Sequence, residues 1–189
     1  MDTRTKSPCH VHYCLFDTAI GPCGIAWSER GLTGLQLPDS DRRATEKRLR
    51  AISASPDPEA PPPGVKRVIV EIQRYLAGSR IDFSSVAIDL LEISPFHRRV
   101  YAAARTIAWG HTATYGQLAR QTGSPMAARA VGQALSRNPI PIIIPCHRIL
   151  AHGNRVGGFS AYGGMRTKER LLSLEGVRVG VGEARLPGV

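Results

Sequence analysis

The stretch Asn138-Pro139-Ile140-Pro141-Ile142-Ile143-Ile144-Pro145-Cys146-His147-Arg148 limits the fold more than any other part of the chain. Three prolines within seven residues exclude a helix, because each removes a backbone donor and crowds the turn before it. Four isoleucines in the same span demand burial. An apolar extended segment that delivers a thiol at its end satisfies both conditions, and the rest of the chain must supply a core to receive it. With 189 residues the chain can build one large or two small domains around such a core.

The thiol admits two readings. Free cysteine is a frequent core residue, and apolar burial leaves it inert. A neighbouring cation or base turns it into a nucleophile. His147 and Arg148 follow directly, but adjacent side chains need not face each other, so Cys-His-Arg alone leaves both readings open. The other cysteines, at 9, 14 and 23, are too few and too unevenly spaced for a disulfide scaffold. Cys9-His10-Val11-His12-Tyr13-Cys14 and Cys23 include zinc-type ligands, yet the spacing fits no tetrahedral motif, and no metal is expected. The opening residues lack a signal-like apolar stretch and no run is long enough to span a membrane, so the expected location is cytoplasmic with reduced thiols.

Charge is unevenly placed. Of the net +10, none lies in residues 1–93, where 12 basic side chains balance 12 acidic ones; residues 94–189 hold 13 basic and three acidic residues. A basic half suits a polyanion and equally suits a solvated surface.

His12–Asp17, Cys23–Ser28 and Leu32–Leu37 read as short strands of an antiparallel meander, separated by Gly21-Pro22 and Gly31. An Arg-rich helical stretch over Asp39–Ile52 and a Pro-rich loop over Ser53–Gly64 follow. Val65–Leu76 is an amphipathic helix, with Val65, Val68, Ile69, Ile72, Tyr75 and Leu76 on one face. Ile81–Ile93 can hold one more extended segment. Ser94-Pro95 then opens a helix as cap and first-turn proline, running towards Trp109-Gly110. Tyr115–Gln121 and Met126–Arg137, joined by Thr122-Gly123-Ser124-Pro125, have the length of a helix-turn-helix, with Ser124-Pro125 again expected as cap and first turn. The second helix is almost flat on one side, carrying Ala127, Ala128, Ala130, Gly132 and Ala134, while Arg129, Gln133 and Arg137 share a face at spacings of four. One arginine on a smooth helix suits close backbone approach in a minor groove, with Arg129 as a probe. Tight packing on a neighbouring helix would suit the small residues equally well.

Ile144-Pro145-Cys146-His147-Arg148 resembles the alkyl-acceptor motif of the O6-alkylguanine-DNA alkyltransferases. The likeness extends through Thr114-Tyr115-Gly116-Gln117-Leu118-Ala119, Ala128-Arg129-Ala130-Val131-Gly132, Arg137-Asn138-Pro139, Gly157-Gly158-Phe159-Ser160 and Lys168-Glu169-Arg170-Leu171-Leu172 to Glu175. It implies an α/β amino-terminal domain over 1–93, with a small antiparallel sheet and helices. A mainly α domain with a winged helix-turn-helix would occupy 94–177, and 178–189 would be a tail. It further implies single-turnover repair of O6-alkylguanine, and of O4-alkylthymine, in duplex DNA by a monomer without cofactor. Cys146 would accept the alkyl group, His147 would take its proton through a water, and Glu175 would stabilise the imidazolium. Asn138 would brace the site, and Tyr115 would assist nucleotide rotation and donate a proton to the leaving base. Arg129 would fill the gap left by the flipped nucleotide, and Ala128, Gly132 and Gln133 would lie along the groove. Leu135, Ile149, Phe159 and Ser160 would form the pocket, Phe159 standing where some members have tyrosine. The competing readings are a binding protein that recognises the lesion without reacting, a cysteine hydrolase using Cys146, His147 and Glu175 over many turnovers, and a sequence-reading transcription factor. The acceptor thiol argues against the first.

Overall fold

The computed structural model describes residues 10–53 and 59–179. Three antiparallel strands, β1 (His12–Thr18), β2 (Gly21–Ser28) and β3 (Gly31–Gln36), form a meander in that order. Side chains alternate across it as the strand period requires. Cys14, Phe16, Cys23, Ile25, Trp27 and Leu35 enter the main core, whereas Tyr13 and Ala26 face the other way and meet Leu49 of α1 (Arg42–Ser53). Gly24 permits this approach: a Cβ there would stand 2.4 Å from a Leu49 methyl.

The face of α2 (Pro63–Leu76) matches its apolar spacing, with Val65, Ile69, Ile72, Tyr75 and Leu76 buried. The helix begins inside the expected Pro-rich loop, because Pro63 occupies its first turn, where a missing N–H costs nothing. Residues 54–58 of that loop, Cys9, and residues 180–189 of the expected tail lie outside the described residues. The extended segment expected over Ile81–Ile93 reduces to one bridge between Leu32 and Ile88.

In the second half, α3 (Pro95–Arg105) starts at Ser94, whose side chain accepts from the His97 N–H. It stops at Arg105, short of Trp109-Gly110, and turns fill the interval. The short strand β4 (Ala113–Thr114) leads into α4 (Tyr115–Gln121), which Thr114 and Gln117 open with a reciprocal capping box. The next helix, α5 (Ala128–Ser136), corrects the expectation at its start. Ser124 and Pro125 do not cap it; they form a tight turn closed by the Ala127 N–H on the Ser124 carbonyl, and Ala127 precedes the first helical residue. α6 (Met165–Leu174) ends the described fold.

The Asn138–Arg148 segment is buried at its isoleucines and from Ile142 onward, and non-helical up to Pro145, as its prolines and isoleucines require, but it is not extended. The Ile144 N–H returns to the Ile140 carbonyl, Ile142 adopts a positive φ of 72°, and Cys146–Arg148 form a single 3-10 turn. That turn runs into β5 (Ile149–Leu150), which pairs in parallel with β4. In this parallel register Tyr115, just after β4, comes level with Ala151, while Cys146-His147-Arg148, just before β5, lie at the end where β4 begins. One continuous apolar core reaches from the sheet and α2 to α3, α4, α5 and α6.

Candidate active site

Cys146 sits almost fully buried at the junction of two cavities. One, of about 210 Å³, is lined by Tyr115, Gly132, Leu135, Ser136, Cys146, Gly158, Phe159 and Ser160. The other, of about 80 Å³, runs past Asn138, Pro139 and Pro141 towards Leu35 and Leu37 of the amino-terminal half. The larger is below the roughly 300–1,000 Å³ of pockets for drug-sized ligands, a scale that suits one planar base. Leu135, Phe159 and Ser160 line it as expected. Ile149 does not: it is fully buried on β5 and is absent from the wall of both cavities, its carbonyl instead accepting from Lys168 Nζ.

Asn138 ties the thiol to its loop. Its Nδ2 donates to the Ile144 carbonyl at 2.8 Å and to Cys146 Sγ at 3.1 Å, while Oδ1 accepts from the Ile140 N–H at 3.0 Å. Burial pushes the Cys146 thiol pKa up, and the Asn138 hydrogen bond and the Lys168 charge oppose that rise.

Beside the thiol lies a buried polar cluster. His147 Nε2 is 2.8 Å from Glu175 Oε1. Arg148 clamps the same carboxylate with two bonds of 2.9 Å and also donates to the Ile107 carbonyl. Tyr75 donates to Glu175 Oε1 at 2.7 Å, and the Gly110 N–H reaches Oε2 at 3.4 Å. Glu175 caps the carboxyl end of α6, where the helix dipole disfavours an anion. Burial too would raise its pKa, but the donors from His147, Arg148 and Tyr75 outweigh it and hold the carboxyl at about 2. Burial drives the His147 pKa down despite Glu175, so its imidazole is neutral at pH 7. Its Nδ1 is buried without a hydrogen-bond partner among the described residues. With Nε2–H given to the carboxylate, Nδ1 carries the lone pair of a base.

Lys168, on the face of α6 that leads to Glu175, is completely buried. Its ammonium donates to the Ile149 and Gly158 carbonyls and lies 5.8 Å above the Tyr115 ring. Burial lowers its pKa to about 8. Tyr115 lies near Gly132 and Gly157: a Cβ at Gly132 would stand in ordinary contact at 3.7 Å from its ring, and one at Gly157 would lie 3.4 Å from its hydroxyl. Gly132 lines the cavity wall. Burial raises the Tyr115 pKa, which keeps the phenol a donor.

The residues expected to face DNA lie on or beside α5. Arg129 and Gln133 are exposed with Arg137, whereas Val131, Ala134 and Leu135 are buried and Ala128 packs partly on the core. The small residues thus serve packing and exposure at once. Among the described residues no cluster of three or more His, Cys, Asp or Glu side chains is gathered that could hold a metal, and no helix is long and apolar enough to cross a membrane. Cys14 and Cys23 are free and buried, with thiol pKa values pushed up to about 11 and about 12.

Tyr75, Arg148 and Lys168 are site residues that sequence reasoning missed. A phenol at the end of an apolar helix face was the signal for Tyr75. The arginine directly after Cys-His was the signal for Arg148.

Residues 95–177 match the DNA binding domain, and residues 11–90 the ribonuclease-like domain, of 6-O-methylguanine DNA methyltransferase. A methylated-DNA–protein-cysteine methyltransferase of Mycobacterium tuberculosis is 36% identical over 165 residues, covering 87% of this chain and 92% of its own. Its counterpart in Mus musculus is 32% identical and covers 91% and 84%. A Mycobacterium tuberculosis structure in complex with DNA superposes with a TM-score of 0.67 at 36% identity, covering 87% of this chain and 92% of that one. The enzyme of the archaeon Pyrococcus kodakaraensis gives 0.69 at 26% identity, covering 88% and 99%. With two family domains matched in order across both halves, the chain belongs to the 6-O-methylguanine DNA methyltransferase family.

Proposed function

We propose that this protein repairs duplex DNA by direct reversal, moving the alkyl group of O6-alkylguanine, and of O4-alkylthymine, onto Cys146 in a single turnover. The observation that carries this is a buried thiol at the wall of a base-sized cavity, beside a neutral histidine whose Nδ1 has no partner among the described residues. The Cys146 proton passes to His147 through a water, and the imidazolium is held by Glu175. The sulfur then attacks the alkyl carbon in line. The S–C bond forms as the C–O bond breaks, its electron pair leaves on the base oxygen, and Tyr115 donates a hydrogen bond as charge develops there. The thioether is stable, so the protein is consumed.

A lesion stacked in a duplex cannot reach the cavity unless its nucleotide is turned out, at a cost of a few kcal/mol. The exposed Arg129 on α5 fills the vacated stack, with Ala128 and Gln133 along the minor groove and Gly132 at the edge of the base cavity. The protein acts as a monomer, within the cell, with residues 1–93 as a supporting domain and 94–177 as the reacting one.

The test is a duplex holding one O6-methylguanine. Intact mass and peptide mapping are expected to show one added methyl per protein, on Cys146, and none after Cys146→Ala. Release of product beyond one equivalent would favour the hydrolase chemistry instead. Arg129→Ala is expected to slow repair of duplex far more than reaction with free alkylguanine base; equal losses would remove the flipping role.

A further inference from the structure

Tyr75 lies on α2, 72 residues from His147 in sequence, yet its hydroxyl ends inside the buried cluster. Its ring meets Phe83, Trp109 and His147 edge-on, with centroids 5.6, 5.3 and 6.4 Å away. A phenylalanine would fill that space equally well. Burying a hydroxyl costs free energy unless it is bonded, so the oxygen rather than the ring requires a reason.

The hydroxyl has one proton and two polar neighbours. Glu175 is ionised and only accepts, so the proton goes to Oε1 at 2.7 Å. Burial and the Glu175 charge keep the phenol protonated by raising its pKa well above 10. Its oxygen then faces His147 Nε2 at 3.1 Å with a lone pair. Nε2 therefore meets two acceptors and no donor, which requires Nε2–H and leaves the lone pair on Nδ1. We propose that Tyr75 is a positioning residue for alkyl transfer: by engaging Glu175 and His147 together it selects the Nε2–H tautomer and restrains the carboxylate. This rests on the alkyl-transfer reading of Cys146.

The restraint has a chemical direction. Each donor on Glu175 weakens it as an acceptor for His147, and a carboxylate freed of one donor holds imidazolium more strongly. The charged and titratable groups around His147 are Glu175 and Lys168 from α6, Arg148 and Cys146 on its own turn, and Tyr75 from α2. Only Tyr75 both donates to Glu175 and accepts from His147.

Tyr75→Phe keeps the ring and removes the oxygen. In single-turnover repair of an O6-methylguanine duplex, the rate constant near pH 7.5 is expected to fall at least about fivefold, the scale of one hydrogen bond. The acid limb of its pH profile is expected to move to higher pH, with duplex affinity unchanged. Placing 3-fluorotyrosine at position 75, a stronger donor of nearly the same size, is expected to move that limb the opposite way, and it keeps the test open should Tyr75→Phe fold poorly. Nitrogen-15 spectra of the parent are expected to show His147 protonated at Nε2. A folded variant with the parent's rate and profile, or a parent protonated at Nδ1, overturns the proposal. A parent that leaves Cys146 unmethylated defeats the alkyl-transfer reading instead, a distinct outcome.

Discussion

A lysine ammonium without exposed surface is costly to keep charged, and Lys168 is 0% exposed. Its partners are two carbonyls and a ring face, none of which neutralises it. Arg148 and Glu175 cancel one another, and His147 is neutral, so Lys168 supplies the net positive charge of the buried cluster. That charge favours the Cys146 thiolate, and the thiolate in turn favours the ammonium. Lys168→Met keeps most of the bulk and removes the cation. The rate of Cys146 alkylation by iodoacetamide at pH 7, where the lysine is charged, is expected to fall on the order of tenfold, the equivalent of one pKa unit in the thiol. Intact-mass kinetics on the folded variant check this, and an unchanged rate would confine Lys168 to holding the loop carbonyls. Two of the 13 basic residues of the second half, Lys168 and Arg148, thus work inside the protein rather than on its surface.

At the scale of elements, the turn that presents Cys146 depends on Asn138. Truncation by Asn138→Ala leaves the Ile140 N–H without a partner, takes one of two donors from the Ile144 carbonyl, which keeps the Cys146 N–H, and frees the sulfur. A loss of about 1–3 kcal/mol in urea unfolding is expected from one buried N–H left unbonded. Methyl transfer is expected to slow more than stability alone explains, because the thiol also loses its donor; single-turnover rates under fully native conditions separate the two. Elements governed by local periodicity were readable in the sequence: the three strands, α2 and α4 follow alternation, 3.6-residue spacing and turn signals. Misread elements were those decided by tertiary contact. Ser124-Pro125 carries a helix-start pattern but makes a turn, and Asn138–Pro145 folds back through a positive φ at Ile142 that no residue preference announces. Among the site residues, Cys146, His147, Glu175 and Asn138 came from motif resemblance. Tyr75 was hidden as a core face, because only packing across the two halves gives its hydroxyl partners, and Arg148 and Lys168 find theirs only where the turn at Cys146, α6 and the segment after α3 meet.

Across the whole molecule, that cluster joins α2 through Tyr75, the segment after α3 through Ile107 and Gly110, the 3-10 turn through His147 and Arg148, and the end of α6 through Glu175. Further ties cross between the halves: the Leu35 N–H bonds the Pro139 carbonyl, and Arg105 donates to the carbonyls of Phe83, Ser84 and Val86. Protonation anywhere in the cluster should therefore destabilise both halves together. The Glu175 pKa falls from 4.5 unfolded to about 2 folded, so its stabilisation is complete above 4.5 and disappears as pH drops towards 2. His147 is likewise depressed from 6.5, and the unfolded chain takes up that proton first as pH drops below 6.5. Both signs agree: urea midpoints are expected to decline from about pH 6.5 downward, with fluorescence of Trp27 in the first half and Trp109 in the second changing in one transition. Glu175→Gln leaves Arg148 buried without its counter-charge and is expected to cost about 3–5 kcal/mol at pH 7 while flattening the limb below pH 4.5. An acid limb of unchanged slope in that variant, or separate transitions for the two tryptophans in single-tryptophan proteins, would mean that the buried cluster does not bind the halves into one cooperative unit.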